Sequence, residues 1–150
     1  VDIDAMRAIA AQLYVELLRG GYTEVCEFHY LHHAPDGQRY AEPGAMAWAL
    51  AEAARAAGIG FTLLPVLYER AGFEEQALRD DQRRFGTDPA LVVALRDEAR
   101  ARGVRVGVAI HSLRAASCAN SPTAVARWPS SAVHTTGAPV VTLCTKSDSP

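Results

Sequence analysis

Apolar and polar positions follow two alternating periods along the first 114 residues. Met6, Ile9, Leu13 and Leu17 recur at steps of three, four and four before Gly20 and Gly21. That spacing predicts an amphipathic helix of about four turns, closed by a glycine in the left-handed region. Residues 22–31 then mix β-branched and aromatic side chains in too short a run for a second helix, and Ala34-Pro-Asp-Gly37 marks a turn. A helix opening at Pro43 carries Met46, Leu50, Ala53, Ala54 and Ala57 on one face and stops at Gly58. The continuous apolar run 59–68 reads as a strand covered on both faces. Asp88-Pro89 is an N-cap followed by proline at the first helical position; Leu91, Val92, Leu95 and Ala99 keep helical spacing up to Gly103, and Val104 to Ile110 form a third strand.

The predicted order is α-β-α-β-α-β, which calls for parallel strands joined by right-handed helical crossovers. Two α/β architectures fit. One is a partial (β/α)8 TIM barrel of three βα units; the other is a small doubly wound sheet. A full barrel takes about 250 residues, so on that reading the chain of 150 residues is only part of one.

From Ala115 the pattern fails. Residues 115–150 hold four of the eight prolines, six serines, five threonines and three charged residues, and their one strand-like run is 139–144. The expected division is a patterned unit over 1–114 and a divergent tail over 115–150, either disordered or read in a shifted frame.

Composition narrows the function classes. The net charge is -2, and residues 1–114 carry 13 basic against 16 acidic side chains, so no excess of positive charge favours nucleic acid or an anionic membrane. No apolar run reaches the roughly 18 residues of a membrane helix. Cys26, Cys118 and Cys144 are an odd number, far apart, which points to free thiols in a reducing, cytoplasmic setting. Gly58-Ile-Gly60 precedes its strand and so is a helix stop, not a dinucleotide loop. Acidic and basic residues nearly balance over Arg79 to Arg84, which reads as a solvated loop.

Candidate chemistry gathers at one end of the strands, where both architectures place function. Strand one ends in Glu27, His29, Tyr30, His32 and His33, strand two in Tyr68, Glu69 and Arg70, and strand three in His111, Ser112 and Arg114. Such a rim offers hydrogen bonds and positive charge to a small anion, with Arg114, and Arg70 as a second candidate, suited to a bidentate carboxylate. A zinc site from His29, His32 and His33 is the competing use. Strand alternation turns His29 and Glu27 away from Cys26, Phe28 and Tyr30, so loop histidines that fix the turn at Pro35 to Gly37 are preferred and no metal ligand is assigned. Glu27 is either an interior carboxylate or a solvent-facing one, Tyr68 and Arg70 read as loop anchors, and Cys26 as a small buried residue.

Residues 21–33 (GYTEVCEFHYLHH), 63–73 (LLPVLYERAGF) and 111–115 (HSLRA), at their spacing in this chain, closely resemble the formimidoylglutamate deiminases of the amidohydrolase superfamily. The resemblance runs from about residue 4 to residue 115. It implies a metal-dependent (β/α)8 barrel hydrolase, usually with zinc, which converts N-formimidoyl-L-glutamate to N-formyl-L-glutamate and ammonia in histidine degradation. It implies substrate contacts for Tyr30, His111 and Arg114, a homodimeric full-length enzyme, and a small molecule as partner. The family's metal ligands have no counterparts here: His134, the remaining histidine, has no Glu three positions on, and Ile110 replaces the usual Pro. The resemblance therefore implies a fragment with a substrate rim, no bound zinc and no activity alone. The other readings are a flavodoxin-like domain that binds small anions without catalysis and a gene remnant. A partial barrel is also expected to leave two open sheet edges and to be marginally stable.

Overall fold

The computed structural model describes residues 1–72, 76–112 and 114–116, together with the backbone of 133–135 and 143–146. Helix α1 spans Ile3–Arg19 and is capped by Asp2, whose side chain accepts the Ala5 N–H at 2.8 Å. Strand β1 (Tyr22–His29) leads through a loop to α2 (Ala45–Ala57), and Gly58 closes that helix at φ 84°. Strand β2 is Gly60–Leu67 and α3 is Pro89–Ala101, with Asp88 accepting the Leu91 N–H at 2.7 Å. The third predicted strand is two pieces, β3 (Arg105–Val106) and β4 (Val108–Ile110), separated by Gly107. A β-carbon at Gly107 would meet the end of the Leu64 side chain at 2.7 Å, so a larger residue there displaces Leu64 where the strand steps past β2.

Strands β1, β2 and β3/β4 are parallel and adjacent in chain order, with Glu27 opposite Leu63 and Val66 opposite Ala109. All three helices lie on one face of this sheet. Val25 packs with Tyr14, Leu50, Ala53 and Ala54; Leu63 packs with Trp48, Leu95 and Ala99; Leu67 packs with Val92. Phe28, Val66 and Ala109 form a separate apolar cluster on the opposite face, joined by Tyr30 and Leu64. A doubly wound sheet carries helices on both faces, and the described residues do not.

Of the sequence stripe on α1, Met6 and Leu17 pack against the core, but the two middle positions are displaced by one step. Ile9 and Leu13 are 57% and 46% exposed, whereas Ala10 and Tyr14 are buried. Two physical reasons select that face: Ala10 is small enough for close packing on α2, and the Tyr14 hydroxyl finds Glu27 at 3.2 Å.

The edges of the sheet are not bare. Beyond the described break, β5 (Val133–Thr135) pairs parallel with β4, and β6 (Leu143–Lys146) pairs antiparallel with β1. Of the strand-like run 139–144, only its end lies in β6, and β5 had no signal in the pattern. The proposed tail boundary falls largely outside the described residues. No helix among the described residues is long and apolar enough to cross a membrane.

Candidate functional site

The helix-free face of the sheet opens at the carboxyl ends of its strands into a cavity of about 270 Å³ lined by Tyr30, Tyr68, Phe85 and His111. Alternation explains three of the four. Tyr30, Tyr68 and His111 each follow the last residue that points to this face: Phe28, Val66 and Ala109 respectively. His111 is the hub. Its ring lies 4.6 Å from Tyr68 and 5.7 Å from Tyr30, near-perpendicular to both. Burial, and then the Arg114 charge, hold the His111 imidazole below its usual range, so at neutral pH it is uncharged and Nδ1 lies 3.1 Å from Ser112 Oγ. Burial, with Tyr68 beside it, raises the Tyr30 phenol, which stays protonated. Arg114 is exposed and has no carboxylate partner among the described residues.

Arg70 is an anchor, as its position in the loop implied. Its Nε and Nη2 donate to the carbonyls of Arg114 and Ala116 at 3.0 and 2.7 Å, and the Glu69 N–H reaches Ala115 O at 2.7 Å. The turn that carries Arg114 is thereby tied to the end of β2.

The histidines of strand one belong elsewhere. Glu27 and His29 point to the helix side, and His29 stacks edge-on with His32, ring centres 4.8 Å apart. Burial lowers His29 to about 4 and, with His29 and His33 beside it, holds His32 well below its usual value. His33 Nε2 lies 2.8 Å from the Gly86 carbonyl, and the main-chain N–H groups of His32 and His33 both reach Arg84 O at 3.1 Å. The cluster thus docks the β1–α2 loop onto the segment before Thr87; the turn at Pro35 to Gly37 is closed locally, by Gly37 N–H to Ala34 O at 2.8 Å. Glu27 is not solvent-facing: it is held by a partner, Tyr14, but on the helix side of the sheet, and burial raises its carboxyl. Among the described residues no three His, Cys, Asp or Glu side chains converge as a metal set. The described residues do not by themselves supply a zinc centre.

Phe85 is the wall the sequence reading missed. It ends a 3₁₀ helix, Asp80–Phe85, in the stretch read as solvated loop, and its ring lies 6.3 Å from Tyr68. The available signal was Gln82, whose side-chain oxygen accepts the Arg79 main-chain N–H at 3.1 Å at the start of that helix, with an aromatic residue three positions on.

No family model matches the chain. The formimidoylglutamate deiminase of Pseudomonas aeruginosa is 48% identical over 116 residues, which is 75% of this chain and 26% of the relative. The chain therefore spans about a quarter of that curated relative's length. Among solved structures, an amidohydrolase from Brucella melitensis is 42% identical with a TM-score of 0.78, over 85% of this chain and 29% of that one. A mutant of atrazine chlorohydrolase TrzN from Arthrobacter aurescens, complexed with zinc and atraton, has a TM-score of 0.63 at 21% identity, over 85% of this chain and 29% of that one, a likeness of fold alone.

Proposed function

From the similarity of this chain to formimidoylglutamate deiminase and to an amidohydrolase of known structure, we propose that it is the substrate-recognition part of a hydrolase acting on N-formimidoyl-L-glutamate. The fold is then an arc of a (β/α)8 barrel. Parallel strands in chain order and helices confined to one face support that arc over a doubly wound sheet. The observation that carries the reading is the convergence of Tyr30 and His111 on one cavity, with the Arg114 turn tied beside it.

In this role Arg114 takes a carboxylate of the ligand, and Tyr30 and the uncharged His111 contribute hydrogen bonds around it. In the relatives' class of enzyme a divalent metal supplies a bound hydroxide near neutral pH. The described residues assemble no ligand set for it, so the chemical step belongs to residues other than these.

The reading is tested by calorimetric titration of the 150-residue chain with N-formyl-L-glutamate, the stable product, which keeps both carboxylates. Saturable binding is expected, and Arg114→Gln weakens it by about tenfold or more, the worth of one charge-assisted contact. Absence of binding, or equal binding by Arg114→Gln, overturns the reading. Ammonia release from N-formimidoyl-L-glutamate by the chain with stoichiometric zinc overturns the division between recognition and chemistry.

A further inference from the structure

Gln82 has both ends of its side-chain amide engaged. Its Oε1 accepts the Arg79 main-chain N–H at 3.1 Å, and its Nε2 lies 2.9 Å from the Tyr68 hydroxyl. A main-chain N–H can only donate, so the atom facing it must be the amide oxygen. The amide nitrogen then faces Tyr68, and it too can only donate. The Tyr68 oxygen is consequently an acceptor in this contact, and its own proton is left to give. Among the described residues no acceptor takes that proton.

Tyr68 is also fixed in place. Its N–H donates to Thr87 Oγ1 at 2.7 Å, its carbonyl accepts the Thr87 N–H at 2.9 Å, and its ring stands at 89° to His111 in the cavity wall. The Thr87 hydroxyl passes its own proton to Val66 O at 2.9 Å, so the clamp is complete without Tyr68's hydroxyl.

We propose that Tyr68 donates a hydrogen bond to an oxygen of the small anionic ligand, and that Gln82 is the positioning residue that sets the direction of that bond. The proposal rests on the ligand-binding reading above. It adds a recognition group from strand two to those of strands one and three, and makes the 80–85 segment part of the site's specificity.

The test is titration of N-formyl-L-glutamate into the full chain and its variants. Tyr68→Phe keeps the ring and removes only the proton, and it weakens binding about tenfold. Gln82→Met leaves the hydroxyl its proton and weakens binding by about threefold or less, whereas Gln82→Glu takes that proton onto a carboxylate and weakens binding as much as Tyr68→Phe. In the Tyr68→Phe background the effect of Gln82→Glu shrinks to about twofold. Matching amide NMR spectra establish that each variant folds. Binding by Tyr68→Phe equal to the parent overturns the assignment, as does a larger loss for Gln82→Met than for Gln82→Glu, the order a packing role would give. If the parent binds and only Arg114→Gln is impaired, this assignment fails and the proposed function stands; if the parent does not bind, both fail.

Discussion

The Arg70 side chain spans the rim from the end of β2 to the main-chain carbonyl of Ala116, 2.7 Å from its Nη2, and a second bond ties it to Arg114 O. An arginine is thus used as a brace, with its charge solvating two carbonyls of the turn that presents another arginine. Arg70→Met leaves those carbonyls without their donors. Hydrogen exchange of the Glu69 amide, which donates to Ala115 O at 2.7 Å, is expected to accelerate by about tenfold as the turn loosens. Unchanged exchange at Glu69 would remove Arg70 from this role.

The buried face of α1 gives a sharp contrast in stability. Ile9→Ser and Leu13→Ser, at exposed positions, change the unfolding free energy by about 0.5 kcal/mol or less. Tyr14→Ala costs about 3 kcal/mol or more through the cavity it leaves against Val25 and Leu50. Denaturant titration distinguishes the two faces, and a large loss at Ile9 with none at Tyr14 would restore the face read from the sequence.

Acid is expected to destabilise the chain through its histidines. His29 is lowered to about 4 when folded, so between the ordinary imidazole value of 6.5 and about 4 the unfolded chain binds more protons and stability falls with pH, by about 3 kcal/mol in all. His32 acts in the same sense. Glu27 opposes them: its folded carboxyl is raised, so its contribution is present below about 4.5 and is lost as pH rises. Glu27→Gln therefore stabilises the chain at pH 7 and loses that advantage in acid. Unfolding midpoints for parent and variant at pH 7, 5.5 and 4 read both slopes, and a flat profile for the parent contradicts the buried-histidine account.

Both edges of the described sheet are taken, one by β5 and the other by β6. Truncation after residue 116 uncovers the main-chain groups of β1 and β4 and is expected to drive self-association, measurable by sedimentation velocity. A truncated chain that stays monomeric at the same concentration would show that these strands do not protect the edges.

Local periodicity determined a great deal without any tertiary knowledge. Gly58 and Asp88-Pro89 bounded their helices because capping is decided within a few residues, and three strand-end motifs identified the relationship to the deiminases. Tyr30 and His111 were legible as rim residues because strand alternation and a common strand polarity are enough to bring them to one end.

Tertiary structure alone decided which way ambiguous side chains turned. The face of α1 depended on a small residue against α2 and on a partner for one hydroxyl, neither of which a stripe of apolar positions encodes. The histidines of strand one were identical in kind to those of a metal site, and only packing made them a buried clamp on Gly86. Phe85 entered the cavity wall, and Gln82 met the Tyr68 hydroxyl, because the chain after β2 folds back over Tyr68, a contact fixed by long-range hydrogen bonds through Thr87 rather than by neighbouring residues. Sequence sets the period and polarity of each element; the contacts between elements, where one hydrogen bond or one methyl group selects among faces, exist only in the folded chain.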